Sequence, residues 1–169
     1  MLVLVWLFGE ADDRVAAVAA ALASLIGLTA AAILSRLIVV PRPFMDGSAV
    51  NYLDHVRDSS FPSDHATLLF AIAFAFWAHR PPRLPVLWRP VLALALAVGW
   101  ACVFLGAHYP RDIAGAALVA AAAAAAIAIP PARMATVWIS THADRLRGRL
   151  AARAWRFPPA RRRRGGRLP

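Results

Sequence analysis

Arg42, Ser63, His65, His108 and Asp112 stand at the edges of long apolar runs, gathered into two short polar islands. The first island is Pro41-Arg42-Pro43-Phe44 together with Ser60-Phe61-Pro62-Ser63-Asp64-His65; the second is His108-Tyr109-Pro110-Arg111-Asp112. An arginine can grip phosphate oxygens bidentately. Ser63 offers a hydroxyl, and its neighbours offer backbone N–H groups at the start of the next helix, a natural anion site. His108 and Asp112 are four apart and share a face if a helix begins there. A carboxylate bonded to one imidazole nitrogen fixes the tautomer and leaves the other nitrogen able to attack. His65 is then placed to protonate a departing oxygen. Each piece has a plainer reading: a snorkelling interfacial arginine, a serine or aspartate N-cap, a histidine at a helix end. Their combination in this order is what points to phosphate chemistry.

The elements that must position these groups are apolar helices. The chain of 169 residues is 60% hydrophobic, with the apolar residues in blocks rather than alternating. That favours lipid-embedded helices over a barrel. Apolar stretches cover residues 15–40, about 65–78, 90–107 and 113–130, the last three short against the ~20 residues that cross a bilayer. Each can borrow a turn from its polar flanks. The fold expected is an all-α integral membrane bundle of four full transmembrane helices. Residues 1–8 form an N-terminal fragment of a fifth, resembling the tail of a helix whose beginning is missing. The alanine run Ala120–Ala126 suits close helix packing and needs no function.

The net charge of +10 comes wholly from arginine, and eleven of the 19 arginines lie at or beyond Arg133. After a bundle this reads as a basic cytoplasmic tail touching anionic lipid rather than as a nucleic-acid site. Residues 1–132 are thus the membrane domain and 133–169 the tail, disordered from about 157, with a basic amphipathic surface helix over 133–156 as the alternative. Arg80, Arg83 and Arg89 put the loop at 79–89 on the cytoplasmic side as well, which leaves both polar islands together on the extracytoplasmic face. The single cysteine, Cys102, allows no disulfide within the chain.

The order Pro-Arg-Pro-Phe, Phe-Pro-Ser-Asp-His-Ala and Gly-x-His-Tyr-Pro-x-Asp resembles the type 2 phosphatidic-acid phosphatase family of membrane lipid phosphatases, over roughly residues 2–130. Asp64, where many members have glycine, is similar to the undecaprenyl-diphosphatase branch. The resemblance implies a bacterial plasma-membrane enzyme that removes phosphate from a lipid diphosphate, with undecaprenyl diphosphate the first choice. It implies a phosphohistidine on His108, orientation by Asp112, leaving-group protonation by His65, and phosphate binding by Arg42 and Ser63, without a metal or other cofactor. Asp64 and Arg36 join the phosphate-binding set.

Two positions depart from the family pattern. Six residues before His108 the family carries an arginine where this chain has Cys102, and seven before Arg42 a basic residue where it has Ser35, with Arg36 one step late. Arg36 can compensate by rotation, and Arg57 or Arg111 can approach from outside. The expectation is a slow enzyme; the alternatives are a catalytically weak relative that binds lipid phosphate, and a small transporter component or membrane anchor.

Overall fold

The computed structural model describes residues 1–154 apart from Leu53 and His55, with side chains up to residue 149. The loop histidine His55 and the segment expected to be disordered from about residue 157 lie outside the described residues. Six α-helices, and no strand among the described residues, follow one another: α1 Leu2–Phe8, α2 Ala11–Leu37, α3 Asp64–His79, α4 Trp88–Phe104, α5 Pro110–Ala128 and α6 Pro130–Ala154.

Local chemistry sets the boundaries. Asp13 reaches back from the first turn of α2 to the Glu10 N–H (3.0 Å). Valines 39 and 40 and the disfavoured helical conformation before Pro41 stop α2 at Leu37. Ser63 caps α3 by accepting from Ala66 N (3.5 Å), and Arg80 in the left-handed region (φ 41) followed by Pro81 ends it. Pro110 occupies the first turn of α5, where its missing N–H is harmless.

Alanine builds the core. Ala16, Ala19, Ala20 and Ala23 of α2, Ala66, Ala71 and Ala75 of α3, and Ala116, Ala120 and Ala124 of α5 are buried together. Small side chains let the three backbones approach closely, the packing mode that works where lipid offers no hydrophobic drive between helices. Phe70 and Phe76 fill the remaining space. Helix α4 lies against α3 and meets α5 closely where Gly99 faces Ile113. Further along, an apolar cavity of about 580 Å³ opens between Phe74, Trp77, Trp88, Leu92 and Ala121.

Among the described residues, only α2 (27 residues) and α5 (19) are by themselves long and apolar enough to cross a membrane. The expected four full spans therefore hold for two helices, while α3 with 16 residues and α4 with 17 fall short of ~20. The reason is that the Ser63 cap and Pro81 confine α3, and the turn at Gly106 confines α4. Residue 133, the expected start of the tail, falls inside α6, which packs on α2 and α5. Thr136 and Ser140 of α6 are buried, and Asp144 accepts from Arg14 Nη1 (3.1 Å).

Candidate active site

The two polar islands meet at one end of the bundle. The chain leaving α2 is pinned to the stretch before α3: Ser60 N donates to Val40 O (2.8 Å) and Val40 N to Ser59 Oγ (3.2 Å). Ser63 N approaches Asp112 O (3.5 Å), which joins the N-termini of α3 and α5. Two glycines make this fit possible. Gly106 turns the chain after α4 with φ +73, and a Cβ there would lie 2.8 Å from Val50 O. Gly115 gives the Phe61 ring its place on α5, since a Cβ would come within 2.3 Å of that ring.

His108 is buried and held from two sides. Its Nδ1 lies 2.7 Å from Ser60 O. A carbonyl only accepts, so Nδ1 carries the proton and Nε2 keeps its lone pair in the neutral ring. Nε2 faces Arg42 Nη1 at 3.3 Å, and the same Nη1 donates to Ala107 O (3.0 Å). Asp112 Oδ2 stands 3.7 Å from Nδ1 and accepts the Tyr109 N–H at 2.8 Å. The pairing expected from a shared helical face thus takes another form. Helix α5 begins at Pro110, two residues after His108, so the pair meets through the helix cap, with a backbone carbonyl as the nearer partner of Nδ1. Asp112 Oδ1 is buried without a hydrogen-bond partner, with Arg111 Nε 3.9 Å away.

A polar cavity of about 260 Å³ opens over His108, lined also by Ser35, Arg36, Arg42, Asp58, Asp64 and His65. It is smaller than the apolar cavity, yet it alone of the two carries ionisable groups. His65 and Asp64 are exposed at the first turn of α3, and Arg36 is exposed at the last turn of α2. Arg42 is 5% exposed, its Nε bonded to Asp58 Oδ1 at 2.7 Å. Ser63 is fully buried as the α3 cap and does not line the cavity. Cys102, half-buried near the end of α4, does not line it either; its carbonyl accepts from Ala107 N (3.0 Å) and His108 N (3.2 Å). Of the cations considered as replacements, Arg36 lines the cavity, whereas Arg111 stacks over the Tyr109 ring at 4.7 Å.

Two participants carried no clear sequence signal. Asp58 is one of several charges between Asp46 and Asp58 that spacing does not single out, and the Ser60 contribution is a carbonyl, which residue type cannot reveal. No group of three or more His, Cys, Asp or Glu positioned for a metal occurs among the described residues. Outside the cavity, Asp46 accepts from Ser48 and from the Tyr109 hydroxyl, which hold its carboxyl down at about 2, while the bond to Asp46 raises the Tyr109 phenol above its ordinary value.

Residues 14–134 match the PAP2 superfamily. The Escherichia coli protein YbjG, provisionally named an undecaprenyl-diphosphatase, is 38% identical over 120 residues, covering 69% of this chain and 57% of that protein. The undecaprenyl-diphosphatase BcrC of Bacillus subtilis is 31% identical over 120 residues, covering 71% of this chain and 60% of its own length. A Bacillus licheniformis BcrC, named a bacitracin transport permease protein, is 37% identical over 120 residues, 70% of this chain and 57% of its own. The chain therefore spans less than two thirds of the length of these curated relatives. No solved structure matches.

Proposed function

Because the chain belongs to the PAP2 superfamily, we propose that it hydrolyses a phosphate from a membrane lipid diphosphate, with undecaprenyl diphosphate converted to undecaprenyl phosphate. The observation that carries this reading is a buried histidine that lines a polar cavity, with its Nδ1 committed to the Ser60 carbonyl and its Nε2 facing Arg42. The names of two relatives support the choice of lipid.

In this mechanism Arg42 and Arg36 hold the terminal phosphate, Arg42 turning one N–H from His108 to a phosphate oxygen. Asp64 belongs to the headgroup-facing rim, and Ser63 contributes by presenting the first turn of α3. His108 Nε2 attacks phosphorus, so a P–N bond forms as the P–O bond to the lipid phosphate breaks. His65 gives its proton to the departing oxygen. Positive charge on His108 is stabilised by the Ser60 carbonyl and Asp112. Water then attacks the phosphohistidine with His65 as base, which returns both histidines to their starting states and releases inorganic phosphate. No metal enters the scheme. The enzyme works in a bacterial plasma membrane with the cavity on the extracytoplasmic face, the α6 end on the cytoplasmic side, and no nucleic-acid partner.

A second reading rests on Cys102 and Ser35: a catalytically weak or inactive relative that binds lipid phosphate. Phosphate release from undecaprenyl diphosphate by the purified protein in detergent, without added metal, decides between them. Release that disappears in His108→Ala is expected; absence of release from a folded wild type selects the binder.

A further inference from the structure

Arg42 and Asp58 form an unequal pair. The arginine is buried, while the Asp58 side chain is 57% exposed at the rim of the cavity. The backbone beside Asp58 is fixed, since Ser59 Oγ is bonded to Val40 N (3.2 Å) and Ile38 O (3.1 Å), so the carboxylate can swing without moving the loop. A buried guanidinium without a counter-charge is costly, and Asp58 supplies that charge in the ligand-free chain. In the ligand-free chain Arg42 Nη1 donates to Ala107 O and faces His108 Nε2, the contact that the substrate must displace before Nε2 can attack. The Nε edge is therefore the side from which a phosphate can take two parallel hydrogen bonds, and Asp58 sits on that edge (2.7 Å).

We infer that Asp58 is a built-in competitor for the anion site, its carboxylate occupying the Nε edge of Arg42 until a phosphate group displaces it. This rests on the proposed reading of the cavity as a phosphate site, and adds to it a residue that sets how strongly that site must be engaged. A phosphate brings more charge and more acceptor oxygens than one carboxylate, so it wins the exchange. A weakly charged headgroup does not. Because the pair is largely solvated on the Asp58 side, the exchange costs little, and its removal is worth about a two- to five-fold change in affinity.

The experiment titrates inorganic phosphate into the full chain in detergent by calorimetry, with turnover of undecaprenyl diphosphate followed in parallel. Asp58→Asn is expected to tighten phosphate binding about two- to five-fold, with KM and the product-inhibition constant falling together. Asp58→Glu stays near wild type, and Arg42→Gln loses phosphate binding. If Asp58 merely braces the loop, Asp58→Asn leaves phosphate affinity unchanged or weaker, and the inference is overturned. A wild type and an Asp58→Asn variant that both fail to bind phosphate overturn it as well. Tightened binding in Asp58→Asn without turnover by any variant sinks the hydrolase reading and keeps the competitor; turnover with unaltered phosphate affinity does the reverse.

Discussion

Helices α2 and α5 begin with the same device at opposite ends of the bundle. Asp13 and Asp112 each sit in the third helical position, each is almost wholly buried, and each reaches back to the N-cap N–H, of Glu10 at 3.0 Å and of Tyr109 at 2.8 Å. They differ in the second oxygen. Asp13 Oδ1 accepts the Arg83 N–H (3.3 Å), and Arg83 also pairs with Glu10, so that carboxylate is satisfied by the loop following α3. Asp112 Oδ1 has no hydrogen-bond partner, and its Oδ2 lies 3.7 Å from a histidine ring. Oδ1 has the exposed Arg111 guanidinium at 3.9 Å and the Ser60 side chain nearby in place of a backbone N–H, so it is held less firmly than its Asp13 counterpart. Identical local capping can therefore serve structure at one end and carry a candidate reaction at the other; what separates them is the group the fold brings to the second oxygen.

The comparison breaks most sharply on amide substitution. Asp112→Asn is expected to lower turnover by about 10²–10⁴ with little change in melting temperature, as for a group that orients and stabilises a charged histidine. Asp13→Asn is expected to cost about 1–3 kcal/mol of stability, through the weakened cap and the lost acceptor for the Arg83 N–H, with turnover per folded molecule retained. Thermal unfolding and phosphate release on both variants check this. Equal loss of activity at the two sites would dissolve the distinction.

Next in size is the missing cation at the α5 end. Cys102→Arg is expected to raise turnover, by up to about a hundred-fold if the new guanidinium reaches the phosphate, since one such donor is worth ~2.7–4 kcal/mol in other sites. Unchanged or lower turnover would mean that Arg36 already fills the role, or that the half-buried Cys102 position cannot aim a side chain at the cavity.

The smallest effect concerns the rim of the same end. The bond from the Tyr109 hydroxyl to Asp46 is intact between the two titrations. It contributes above the ordinary carboxylate range and is lost as pH falls toward about 2; on the alkaline side it is lost as pH rises through the raised Tyr109 value. Absorbance of tyrosinate should show a late component that Tyr109→Phe removes and Asp46→Asn shifts back toward pH 10. A late component that survives Asp46→Asn would place its cause elsewhere than in this latch.

Much of this was legible in the chain because it is local. Pro110 and Asp112 announce a helix start, Ser63 announces a cap, and the apolar blocks announce helices at nearly the residues where they occur. The charge pattern also grouped the two islands, and they do meet at one end of the bundle. The short reach of α3 and α4 was visible as length, though four full spans were expected where two meet the requirement. Capping, proline geometry and apolar run length act within a few residues, so residue order alone determines them.

Tertiary structure alone decided the rest. That His108 precedes the helix and leans on the Ser60 carbonyl depends on a hydrogen bond across 48 residues whose acceptor has no side-chain signature. Asp58 is one charge among several in its loop, and it is the bonds of the Ser59 hydroxyl and the Ser60 N–H to residues 38–40 that carry it to Arg42. The same long-range packing set Asp144 of α6 against Arg14, where composition suggested a tail. Such pairings are selected by the closure of the whole bundle, in which an alanine core lets α2, α3 and α5 approach closely enough for their polar ends to meet.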